Sequence, residues 1–172
     1  MAGLPVLDGS HFLAVRLMGR ARTLERAQRE SIGYCRENGA STTEVIEGAV
    51  AINLWRELSD FGWRPEALPE VTVRLSTLPA RTLVDSQIRV PLSGLRPAVV
   101  TDPGYGRVSV YWFSESDESA SGGLTSSAAA MELTLNQARA AGATAIVERC
   151  PPELKTGLDV WGDVGDALAI MR

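Results

Sequence analysis

Two arginines stand inside apolar, alternating runs. Arg74 lies in "VTVRLS" and Arg16 in "LAVRLMG". A charge on a strand of that kind either faces solvent, as plain alternation would place it, or faces a partner of opposite charge. Around them the reactive residue types are few. His11 is the only histidine. That excludes an HExxH metalloprotease and a His-rich metal site within the chain. It also leaves a Ser-His-Asp triad without support, because no nucleophile elbow is present. His11 is therefore read as structural or surface. Cys35 and Cys150 are the only cysteines and lie far apart in sequence. They read as two small buried hydrophobes, not as a zinc knuckle or a disulfide framework. No metal site is expected. "PGYG" (103–106) does not open a helix in GxGxxG fashion, and no GxxxxGK[ST] loop occurs, so no nucleotide loop is visible. "SESDESASGG" (114–123) lacks the spacing of a calcium loop and reads as a solvated acidic loop. Among the aromatics, Trp55 reads as helix-face core, Trp112 as sheet core or interface and Trp161 as a packing anchor. Tyr105 falls at a turn. Lys155 and Arg149 flank a double proline and read as surface groups.

The chain has 172 residues, 45% hydrophobic and 22% charged, with a formal net charge of -4. That length suits a single domain, 1–172, with a core of its own. A mildly acidic balance argues against nucleic acid as a partner, since phosphate binding needs clustered Lys and Arg. No apolar run is long enough to span a bilayer, and "MAGLPVLDGSHF" lacks the basic and apolar regions of a secretory signal. With so little cysteine, a cytoplasmic setting is the simplest expectation.

These residues must be positioned by the elements that the pattern predicts. Alternation gives strands at His11–Gly19, Ser41–Gly48, Val71–Leu78 and Thr144–Cys150. Apolar residues at helical spacing give a helix capped by Thr23 and closed at Asn38-Gly39. A second helix carries Ala51, Leu54, Trp55 and Leu58 on one face. A third starts at Pro79. A fourth is capped by Thr125 or Ser126 and closed by Gly142. Between them "PAVVTDPGYGRVSVYWF" reads as a hairpin turning at Asp102-Pro103-Gly104. A short helix is expected over Glu153–Asp159, with a further helical turn at the end. Residues 36–47 and 139–148 are near copies: a helix end, a glycine, then a strand closing on Val, Ile and Glu. The alternation of elements, broken by one hairpin, predicts an α+β fold. The expected form is an antiparallel sheet with helices packed on one face, duplicated in ferredoxin-like fashion.

The stretch "ARAAGATAIVERCPPELKTGLDVWG" resembles the C-terminal region of FAD-linked oxidases of the vanillyl-alcohol oxidase type, among them the FAD-binding subunit of glycolate oxidase and its relatives. "VTVRLSTLPARTL" is similar to that family's strand followed by a proline-started helix, and "LWREL" (54–58) to a helix that precedes it. The resemblance runs from about residue 11 to the end of the chain. It implies a cap or substrate domain, whose sheet covers the flavin and shapes the pocket for a small 2-hydroxy acid. Arg74, and after it Arg16, is then the candidate for the substrate carboxylate, because a guanidinium grips a carboxylate bidentately.

The departures are equally specific. The family's glycine-rich pyrophosphate loop has no counterpart here, and the chain stops before the family's C-terminal tail. The hairpin strand has no histidine, so the metal and substrate roles of the family's "GDGNLH" motif do not carry over. The resemblance therefore implies a cap cut from, or separate from, a larger flavoenzyme. Its partner would be an FAD-binding domain or subunit, and alone it would bind no FAD and be inactive. A surface freed from that partner would favour a homo-oligomer. The alternative is a free-standing interaction or ligand-binding module, acting through its sheet face or by dimerising.

Overall fold

The structure, a computed structural model, describes residues 11–82, 92, 94–115 and 123–156. Its contacts divide the chain into two units, Met1–Asp60 and Phe61–Arg172.

In the first unit the described elements are helices α1 (Ala21–Glu37) and α2 (Gly48–Ser59). Helix α1 starts earlier than the sequence suggests. Its N-cap is Arg20, with no side-chain cap, and Thr23 lies inside the first turn with its amide bonded to the Arg20 carbonyl. Its end is as expected. The Ala40 amide bonds the Cys35 carbonyl at 3.0 Å and the Gly39 amide bonds that of Arg36 at 3.1 Å, with Gly39 at φ +89°. This is a Schellman closure. Residues 11–19 and 41–47, expected as strands, form none. Alternation marks a segment able to lie on a sheet, but a strand exists only when a neighbour takes up its amides and carbonyls. Neither helix has a fully buried residue. Ala51, Leu54, Trp55 and Leu58 on α2 are half-buried.

The second unit holds a four-stranded antiparallel sheet of β1 (Val71–Ser76), β2 (Leu95–Asp102), β3 (Arg107–Ser114) and β4 (Thr144–Arg149), in the order β2-β3-β1-β4. The fold is α+β, as the pattern predicts. β1 and β3 lie at the centre because they are the most apolar and β-branched segments. Helix α3 (Gly123–Ala141) joins β3 to β4. Its start precedes Thr125 and Ser126, which sit within the helix and are not its cap. Its end repeats the closure of α1: the Ala143 amide bonds the Ala138 carbonyl at 2.9 Å, with Gly142 at φ +68°. Of the two near-copies, only the second goes on into a strand. The duplicated sheet is therefore not found among the described residues.

One stripe of α3, Ser127, Ala130, Met131, Thr134 and Ala138, is buried. It follows the i, i+3, i+4, i+7 spacing of a helix laid on a core. Beneath it lie Val71, Val73 and Leu75 of β1, Val108, Val110 and Trp112 of β3, and Ala145 and Val147 of β4. Every second residue of each strand points this way, which sends the intervening residues to the opposite face. The Trp112 indole Nε1–H donates to Thr134 Oγ1 at 3.1 Å, and that hydroxyl donates to the Ala130 carbonyl at 2.7 Å. The helix is thus pinned to the sheet through a fully buried tryptophan.

Pro79 starts a 3-10 turn, Pro79–Arg81, and Thr82 follows it in helical conformation, at the place where the sequence expects a helix to start. The rest of that expected helix lies outside the described residues, as do most of the acidic loop, Trp161 and the last helical turn. Another 3-10 turn, Pro152–Lys155, follows the double proline.

Candidate anion-binding site

The face of the sheet turned away from α3 carries the polar residues of the strands. The cross-strand register sets Arg74 of β1 opposite Ser109 of β3, Ser76 opposite Arg107 and Thr72 opposite Tyr111. Side chains directly opposite one another share a face. Along β3, therefore, Arg107, Ser109, Tyr111 and Phe113 alternate with the core residues Val108, Val110 and Trp112. On the other side of β1, Arg74 is paired with Ile146 of β4.

Glu148 reaches this face by plain alternation, since Ala145 and Val147 face the core and Ile146 lies opposite Arg74; the register shifts only beyond Val147. Val73 pairs with Val147 and Thr72 with Arg149, so Glu148 is an extra residue in β4, a β-bulge. Here Glu148 Oε1 comes within 2.8 Å of Arg74 Nε. The contact is an ion pair by distance. The buried Nε–H nevertheless has no hydrogen-bond acceptor, so the carboxylate lies off the N–H direction. The Arg74 side chain is 35% exposed and that of Glu148 17%. The pair is therefore partly screened, and its stabilisation is on the order of 1 kcal/mol.

Arg107 stands diagonally across from Arg74, with Ser109 between them. Its Nε donates to Ser109 Oγ at 3.3 Å. Two guanidinium groups and a hydroxyl thus share one end of the face, with Glu148 as the carboxylate in contact. Towards the other end burial increases. Ser109 is 3% exposed, Thr72 2% and Tyr111 5%, whereas Ser76 and Arg107 are exposed. Tyr111 is packed edge-on by Phe61 at 5.1 Å between ring centroids and stacked with Phe113 at 6.3 Å. Burial raises the Tyr111 phenol above its ordinary pKa. The Ser109 hydrogen bond and the Arg107 charge pull it down, and Glu148 pushes it further up. Tyr111 is a neutral hydrogen-bonding group at physiological pH.

Of the two arginines singled out in the sequence, Arg74 is in this cluster. Arg16 belongs to the other unit and is not on a strand; its guanidinium lies over the Trp55 ring, 5.6 Å from the centroid. Trp112 is core, Tyr105 is 86% exposed and Arg149 and Lys155 are exposed. Cys150 is buried beside the core, and Cys35 is half-buried on α1. Arg107, Ser109, Tyr111 and Glu148 were not singled out from sequence. The first three carry a legible signal, since "RVSVYWF" alternates polar with apolar residues. Glu148 carries one too, since in "TAIVE" Ala145 and Val147 alternate with Ile146 and Glu148.

Among the described residues no group of three or more His, Cys, Asp or Glu side chains is placed to hold a metal. The N-cap residues of α1 and α2 are Arg20 and Glu47, neither with a side-chain cap bond. What the arrangement offers chemically is recognition of a small anion by guanidinium and hydroxyl groups, beside an aromatic cluster. No described helix is long and apolar enough to cross a membrane. The chain matches no protein-family model, no curated protein and no solved structure.

Proposed function

We propose that this chain is the substrate-covering cap of an FAD-dependent oxidoreductase of the cytoplasm, acting on a small 2-hydroxy acid such as glycolate. The face opposite α3 would turn towards the substrate, and Arg74 would take its carboxylate. The observation that carries this reading is the row of Arg74, Ser109 and Arg107 on that face. A carboxylate there meets two cations and a hydroxyl, and guanidinium groups bind carboxylates more directionally than ammonium groups do. Flavin supplies the hydride chemistry when bound, and no residue of this chain is assigned to hold it. The cap's own work is to orient the substrate and exclude water. The FAD-binding domain or subunit is then the partner, and the chain alone is catalytically silent.

Calorimetric titration of the purified chain with glycolate and with acetate tests this. Binding of glycolate in preference to acetate, lost in Arg74→Gln, is the expected result. Equal binding of both would refute the 2-hydroxy-acid reading. Stoichiometric flavin absorbance in the purified chain would refute the cap reading, because it would require a flavin socket in this polypeptide.

A second reading, an interaction module, is favoured by the first unit. There Phe12, Leu13, Val15, Met18, Val45, Val50 and Ile52 are all exposed. Apolar side chains in that number mark an association surface. Light scattering distinguishes the two. A homo-oligomer that persists when its cognate FAD-binding domain is added supports the module, and one that dissociates supports the cap.

A further inference from the structure

Glu148 is the only charged partner of Arg74 among the described residues, and two features of that contact are unusual together. The residue shares the Arg74 face by alternation, two residues along β4 from Ile146, which pairs with Arg74. Its carboxylate is at ion-pair distance, 2.8 Å. Yet the Nε–H beside it is unbonded and shielded from solvent. A pair built only for stability would align the acceptor with the N–H, because the aligned, charge-assisted bond is the stronger one. An off-axis pair keeps the charge neutralised while leaving the Nε–H of the guanidinium without an aligned acceptor.

We infer that Glu148 is an internal counter-ion that an incoming monoanion displaces from Arg74. Empty, the site is held neutral at Arg74 by Glu148. A ligand carboxylate takes the guanidinium in line, with Ser109 and Arg107 at its other side, and Glu148 swings aside. Two consequences define the site. Affinity is weak by construction, because every binding event must break the Arg74–Glu148 contact. Multiply charged anions are disfavoured relative to monoanions, because Glu148 remains nearby and repels the extra charge. The ligand class is thus a small monocarboxylate. This deepens the reading of the face as a substrate site and rests on it only for the hydroxyl group of the ligand, not for the carboxylate.

The test is calorimetric titration of the full chain with acetate, glycolate and inorganic phosphate. Glu148→Gln keeps the size of the side chain and removes the competing charge. It is expected to tighten acetate and glycolate about tenfold, the equivalent of ~1.4 kcal/mol. Phosphate should tighten by more than acetate does, because its extra charge is no longer opposed. Arg74→Gln should abolish binding in either background. If Glu148→Gln fails to fold by circular dichroism, Glu148→Asp replaces it. Its side chain, shorter by one methylene, withdraws the charge and should give an intermediate gain. Unchanged or weaker acetate binding in a folded Glu148 variant overturns the inference, as does binding that survives Arg74→Gln. Equal tightening of acetate and glycolate, with no preference for glycolate in the wild type, would leave the counter-ion in place while refuting the 2-hydroxy-acid reading.

Discussion

Thr134 offers a sharp test of how α3 is fastened to the sheet. Its hydroxyl accepts from Trp112 Nε1 at 3.1 Å and donates to the Ala130 carbonyl at 2.7 Å. Both Trp112 and Thr134 are fully buried. Thr134→Val keeps the shape of the side chain and removes the hydroxyl. The Ala130 carbonyl still receives its helical amide, so it is not stranded. The indole N–H is stranded, because water does not reach it. A buried donor left without a partner costs about 1–3 kcal/mol, and that is the expected loss. Trp112→Phe removes the donor and some packing together, and should cost about 3 kcal/mol. In the Trp112→Phe background no indole N–H is left to strand, so adding Thr134→Val should cost a few tenths of a kcal/mol. The coupling between the two sites is then at least about 1 kcal/mol. Urea unfolding of the four proteins, followed by far-UV circular dichroism, measures it. Simple additivity, or a Thr134→Val protein within about 0.3 kcal/mol of wild type, would show that the hydrogen bond does not fasten the helix.

Gly106 follows the hairpin turn at φ +64°, and an added Cβ would overlap the Thr77 carbonyl oxygen. Gly106→Ala should therefore cost about 2–4 kcal/mol in a denaturant melt, from strain and overlap together. Gly39→Ala, at φ +89° in open space, should cost only about 1 kcal/mol. Tyr111 has a raised phenol pKa, chiefly through burial. The unfolded chain then loses this proton first as pH rises past about 10, so stability present at lower pH falls above that value. Urea midpoints of wild type and Tyr111→Phe, compared on either side of pH 10, should show a steeper alkaline loss in the wild type; parallel losses would contradict it. Arg16→Gln removes the cation from the Trp55 face and should cost about 0.5–1 kcal/mol in the first unit, read from a denaturant melt followed by far-UV circular dichroism.

The paired segments 36–47 and 139–148 show how far the sequence reaches. In both, the helix ending is local chemistry. A glycine takes the left-handed conformation, and the two closing hydrogen bonds lie within six residues, so the ending was legible in advance. The strand that should follow is not local. Thr144–Arg149 is a strand because β1 lies beside it and accepts its hydrogen bonds. The segment 41–47 has the same apolar pattern but forms no strand. Pattern alone also misled at 11–19, again for want of a partner edge.

The same division holds for the candidate site. The sequence by itself determined the α+β class, the hairpin, the strands β1 to β4, and the choice of Arg74 as a charge set within an apolar strand. Those are consequences of side-chain periodicity and turn chemistry, which act over a few residues. Only the tertiary structure decided which face Arg74 shares, and with whom. Register put Ser109 opposite it and set Arg107 and Glu148 on the diagonals to either side. Register is settled by how whole strands pack under α3, and that information is spread over residues far apart in the chain.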